Sequence, residues 1–148
     1  MKNIFSFLMP KNKSVNNTQI INKDPGATMG EFLSTFESYC AEMGLANSAD
    51  DVVAALNKAS AKLKNIIPQM NEITKNYPEI KDLQKGTSLP ETFSEFELRF
   101  SKLRPKQLQA ITHAGKYLSH PKVLEPQKKF IKLMNEIIHY QEISFLEL

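Results

Sequence analysis

At 148 residues, 41% of them hydrophobic, the chain is long enough for one domain with a workable core. A lone cysteine, Cys40, excludes an intramolecular disulfide and implies a reducing, cytoplasmic setting, and no stretch approaches the roughly 20 apolar residues that span a bilayer. The net charge of +3 hides a segregation: residues 99–132 carry nine cations against Glu125 alone, while the remainder carries 10 lysines against 15 acids.

The first ten residues are apolar but end abruptly at Pro10, with no cleavage site of small residues and no glycine at position 2 to acylate. Ile4, Phe5, Phe7 and Leu8 offer a loose peripheral membrane contact through residues 1–9. The simpler reading is a terminus that leans on the domain or a neighbour. Residues 11–27 are polar, rich in asparagine and lysine, and aperiodic, so residues 1–27 read as a flexible leader. Asp24-Pro25-Gly26 reads as a turn. A first helix is expected from Thr28, with Thr28 and Glu31 as a capping box and Gly44 as its left-handed stop. Phe32, Phe36, Tyr39, Cys40 and Met43 share one face of it.

Ser48-Ala49-Asp50-Asp51 opens a second helix with a hydroxyl cap and two acids at its positive end. Val52, Leu56, Ala59, Leu63, Ile66, Met70, Ile73 and Tyr77 then follow a 4-3 alternation over more than three heptads. Pro68 falls opposite that seam, so 49–76 reads as one kinked helix or two stacked ones, ended by Tyr77-Pro78. Glu79–Lys85 reads as a short helix. Phe93, Phe96, Phe100 and Leu103 mark a third helix from Pro90. Leu108, Ile111, Gly115 and Leu118 mark a fourth after Pro105. Phe130, Leu133, Met134, Ile137 and Ile138 mark the inner face of a last helix over about 122–140. The expectation is an all-α fold: an irregular antiparallel bundle of four to five principal helices in a single domain over 28–148. Phe36, Leu56, Leu63, Phe96, Phe100, Ile111, Met134 and Ile137 should share its core.

Little in the sequence carries chemistry. Glu136-Ile-Ile-His139 has the Glu-x-x-His spacing of di-iron bundles, but there is no second copy, and both side chains fall on the polar face with Lys128, Lys129 and Lys132. Cys40 paired with His113, His120 or His139 would make a thiol–imidazole couple, yet a cysteine on an apolar helix face is ordinarily a small core residue. Lys85-Gly-Thr-Ser88 has the wrong order for a phosphate loop. No catalytic, metal or cofactor residue is therefore assigned, and a non-enzymatic role is expected.

The basic stretch is the functional candidate. Arg99, Arg104, Lys106, Gln109, His113, Lys116, Lys128, Lys129 and Lys132 form the expected partner-binding set, because a local cationic surface attracts anionic macromolecules. The leading expectation is a protein–protein interaction module (adaptor, accessory factor or inhibitor) of a bacterial-like cytoplasmic protein, facing an acidic protein surface. The alternative is a small nucleic-acid-binding regulator that places the 105–119 helix in a groove through a helix-turn-helix at Leu103-Arg104-Pro105. The 17:2 excess of lysine over arginine counts against a dedicated phosphate reader, since lysine lacks the planar fork. Self-association is a further reading, through the 52–77 seam and the alanines beside it.

Overall fold

The first helix begins where a carboxylate precedes a proline. Asp24 Oδ2 accepts a hydrogen bond from the Ala27 amide at 3.1 Å, and Pro25 takes a first-turn position where its missing N–H costs nothing. The computed structural model describes residues 24–85 and 88–140 and has this helix, α1, at Pro25–Leu45. Residues 25–27 thus belong to the domain and not to a leader. The expected capping box is replaced: Thr28 is fully buried and its Oγ1 has no hydrogen-bond partner. Gly44 does not end the helix either. The chain leaves α1 at Ala46, with φ −64° and ψ 134°, and the Ala46 amide donates to the Met43 carbonyl at 3.3 Å. The rest of the expected leader, with Ile4, Phe5, Phe7 and Leu8, lies outside the described residues.

α2 spans Ala49–Asn76 and is one helix through Pro68. Its start is capped reciprocally: Ser48 Oγ accepts from the Asp51 amide at 3.1 Å, and Asp51 Oδ2 accepts from the Asn47 amide at 2.9 Å. Every seam residue from Val52 to Ile73 is buried, and Tyr77 packs partly buried at the C-cap. Pro68 is exposed on the far side, where its lost amide faces water. The seam is occupied by α1 and by the last helix, so it is core and offers no free face to a second copy.

A 3₁₀ segment, Pro78–Lys85, follows. Pro90 caps a 3₁₀ turn at Glu91–Phe93, and the expected third helix is the short α3, Ser94–Ser101. Then come α4, Leu103–Leu118, and α5, Pro121–Ile137. No strand occurs among the described residues. α2 packs against α1 and α5, α1 against α2, α3 and α4, and α4 and α5 touch only sparingly.

A chain of rings crosses the bundle and joins α3, α1 and α5. Phe96 stacks on Phe100, Phe100 on Phe36, Phe36 on Tyr39, and Tyr39 on Phe130 at 4.3 Å between centroids. Tyr140 closes it edge-on against Phe36 and Phe130. Of the eight expected core residues, Phe100 alone is only partly buried, although it stacks on both Phe96 and Phe36. On α4 the buried side is Leu103, Gln107, Ala110, Ile111, Ala114 and Gly115, while Leu108 is 39% exposed and Leu118 half-buried. The inward face is turned from the expected one because α1, not α5, is the principal neighbour of α4. Gln107 is tolerated inside because its Nε2 donates to the Tyr140 hydroxyl at 3.1 Å.

The chain beyond α5 is held by the 3₁₀ segment. Lys81 Nζ donates to the Glu136 carbonyl at 2.9 Å, one of the orphan acceptors at the α5 C-terminus. The His139 amide donates to the Lys81 carbonyl at 2.7 Å, and His139 Nδ1 lies 2.9 Å from Asp82 Oδ1. These ties seat Ile138 and Tyr140 in the core on either side of the exposed His139.

Two measurements check this packing. Phe130→Ala should cost about 3–5 kcal/mol in denaturant unfolding, and Phe100→Ala clearly less, because only Phe130 is fully enclosed. Lys81→Met should raise amide hydrogen exchange at residues 138–140 while leaving exchange in the middle of α2 unchanged.

Candidate interaction surface

α4 and α5 are each amphipathic, with one side buried and a polar side turned outward. With 3.6 residues per turn, a helix that buries Gln107, Ala110, Ile111 and Ala114 must turn Lys106, Gln109 and Lys116 outward. One that buries Phe130, Leu133, Met134 and Ile137 must do the same with Lys128, Lys129 and Lys132. All six of these side chains, and Arg104, are exposed. Seven of the nine expected partner-binding residues therefore sit on the outer surfaces of two helices joined by Ser119-His120.

The other two are engaged within the fold. Arg99 is half-buried and its guanidinium reaches Glu37 of α1 at 3.0 Å. His113 directs Nε2 to the Ala46 carbonyl at 2.8 Å; a carbonyl only accepts, so Nε2 carries the proton in this contact. Both residues fasten α3 and α4 to α1. Lys122 is also spent internally, bonding Asp50 of α2 at 2.9 Å. That contact holds the Asp50 carboxyl below its ordinary 3.8, through the Lys122 hydrogen bond first and its charge second. Lys128 lies 3.8 Å from Glu125, a loose contact between two exposed chains, and Lys116 rests 5.3 Å over the Tyr117 ring. Lys102, Arg104, Lys106, Lys129 and Lys132 make no ion pair with a described residue.

The α3–α4 junction is not a helix-turn-helix. A single residue, Lys102, separates the two helices, and Arg104 and Pro105 lie inside the first turn of α4. A groove-reading pair needs a turn of three or four residues between helices set at a wide angle.

The other residues weighed for chemistry lie apart from this surface's lysines in their bonding. Cys40 is buried in the core, and the three histidines bond Ala46, the Lys122 amide and Asp82. Among the described residues no three His, Cys, Asp or Glu side chains gather to hold a metal, and no helix is long and apolar enough to cross a membrane. Glu136 and His139 are both exposed. The residues missed from the sequence are Lys81, Asp82, Gln107 and Asp50, each of which acts through a partner far away along the chain. No protein-family profile, curated protein or solved structure matches this chain.

The Asp50–Lys122 contact makes a pH prediction. A carboxyl whose folded pKa is depressed contributes stability fully above its unfolded value and loses it as pH falls through the lower folded value. Carbon-detected titration should therefore place Asp50 below 3.8 in the native protein, and Lys122→Gln should return it toward that value.

Proposed function

We propose that the chain is a non-catalytic interaction module that presents the outer faces of α4 and α5 to an acidic surface on a protein partner, in a reducing cytoplasm. The observation that supports this is the local excess of cations over 99–132, most of it on exposed side chains that make no ion pair with a described residue. Charge of one sign held on one part of a surface raises the encounter rate with an oppositely charged partner and sets its register. The single buried cysteine and the absence of any disulfide fit the compartment.

Two features favour a protein over a polyanion. The exposed cations are almost all lysines, which contact phosphates as point charges and not as planar forks. The outer face of α5 also carries Glu125 and Glu136 beside Lys128, Lys129 and Lys132, so an unbroken ladder of phosphates would meet repulsion at both ends.

The test is charge reversal. Lys128→Glu with Lys132→Glu should leave the far-UV spectrum and the melting temperature close to wild type, because both side chains are solvated. A partner recovered with the immobilised full chain should then bind the double variant about tenfold more weakly at low salt, with the difference shrinking at high salt. Equal affinity at both salt concentrations would reduce the basic surface to a solubilising face. Tighter binding of random duplex DNA than of any recovered protein, with a steep salt slope, would reassign it to nucleic acid.

A further inference from the structure

Two internal contacts orient α4 and α5. His113 marks the flank of α4 that faces α1, and Lys122 marks the flank of α5 that faces α2. At 100° per residue, Arg104 and Leu108 lie on the opposite flank of α4, and Leu124, Lys128 and Ile131 on the opposite flank of α5. Ser119-His120 joins the end of α4 to the start of α5, and Gln107 in the early turns of α4 bonds Tyr140 just past the end of α5, so the two helices run back alongside each other with these flanks between them. Yet the two helices touch only sparingly, whereas α2 packs closely along both α1 and α5. The side chains show the same opening: Leu108 is 39% exposed, Leu124 is 45% exposed, and Ile131 is only partly buried. Among the described residues the bundle is thus closed along three of its helix–helix seams and open along the fourth.

We infer that the α4–α5 seam is a docking groove for an acidic amphipathic helix of a protein partner. This rests on the proposed basic interaction surface and specifies its occupant. Leu108, Leu124 and Ile131 give an apolar floor that runs along the two helices, as anchors at helical spacing require. Arg104 on one wall and Lys128 on the other give a rim of positive charge; among the described residues Arg104 has no ion pair, and Lys128 has only the loose 3.8 Å contact with Glu125. A third helix laid between α4 and α5 completes the missing packing by ridges into grooves, and acids on its flanks meet the two cations. Exposed leucines between cations also fit this occupant better than a phosphate backbone, which offers them nothing to bury.

The test uses a synthetic peptide of about 16 residues with leucines at helical spacing and glutamates on either side, compared with a scrambled peptide of identical composition. Both are titrated into isotope-labelled full chain. The patterned peptide should bind at least about tenfold more tightly than the scrambled one and shift amides of 104–118 and 121–135. Leu108→Glu with Leu124→Glu, both at exposed positions, should abolish that preference with helicity unchanged. Arg104→Glu with Lys128→Glu should weaken binding about tenfold at low salt. No measurable peptide binding, equal affinity for the scrambled peptide, or binding that survives the leucine pair would overturn the groove. So would concentration-dependent dimerisation lost in the leucine variant, which would give the seam to a second copy. Binding of duplex DNA or of anionic vesicles that depends on the same leucines would likewise overturn it. Should Lys128→Glu with Lys132→Glu weaken a native partner while the leucine pair does not, the groove falls and the basic surface stands. Should neither pair matter to that partner, both fall.

Discussion

Helix α1 carries more apolar surface than one neighbour can cover. Its buried side chains, from Thr35 around to Leu33, fill roughly 160° of the helix, against the stripe of about 100° that suits a helix lying on a single surface. The bundle therefore has to wrap it. α2 takes one edge, α3 and α4 take the other, and Phe130 of α5 reaches across to stack on Tyr39. The stacked rings from Phe96 to Tyr140 are the physical form of that wrapping, because flat side chains bury a large area while spanning the distance between helices that do not pack backbone to backbone.

Wrapping has a polar consequence. Seating Tyr140 in the core takes its hydroxyl out of water, and Gln107 sits inward on the side of α4 that faces it. Each group would be costly alone; bonded together they are tolerated, and they join α4 to the chain beyond α5 where the helices themselves scarcely meet. Lys81 and His139 act at the same place, satisfying backbone groups at the end of α5. The base of the α4–α5 seam is thereby shut by polar contacts, and the length of it toward Leu124 is left to exposed leucine.

These differences in packing explain what the sequence made legible. α2 could be read almost residue by residue, because its seam meets two neighbours and its heptad spacing has one solution. α1 was harder: Asp24-Pro25 looks like a turn until one asks which residue caps, and Leu33 falls beyond the edge of a single-stripe reading although it is buried. On α4 the regular Leu108–Leu118 stripe was real as a pattern but misleading as a direction, since alanines and a glutamine face α1 and a leucine faces the open seam. The strap of Lys81 and Asp82 onto residues 136–139 joins positions more than fifty residues apart, which no local spacing encodes. The basic character of 99–132 was plain; that Arg99 and His113 are fasteners was not, because Glu37 and Ala46 lie on another helix.

The distribution of acids explains why charge is left over on one side of the molecule. Glu37, Glu42, Glu72 and Asp50, all on α1 and α2, are matched by Arg99, Lys58, Lys75 and Lys122. That leaves α4 without an acid of its own and α5 with Glu125 and Glu136 only. Lys128 and Lys132 stand one turn apart on α5 with Lys129 three residues before Lys132, the spacings at which like charges on a helix repel and salt screens that repulsion. A like-charge cluster at that spacing works slightly against the fold that holds it. In the proposed complex, carboxylates of the partner would relieve that repulsion and cover exposed leucine in the same step, which would couple the electrostatic and apolar terms of binding. Salt weakens the first and leaves the second largely intact, so an occupant of the seam loses affinity with ionic strength but does not lose it entirely.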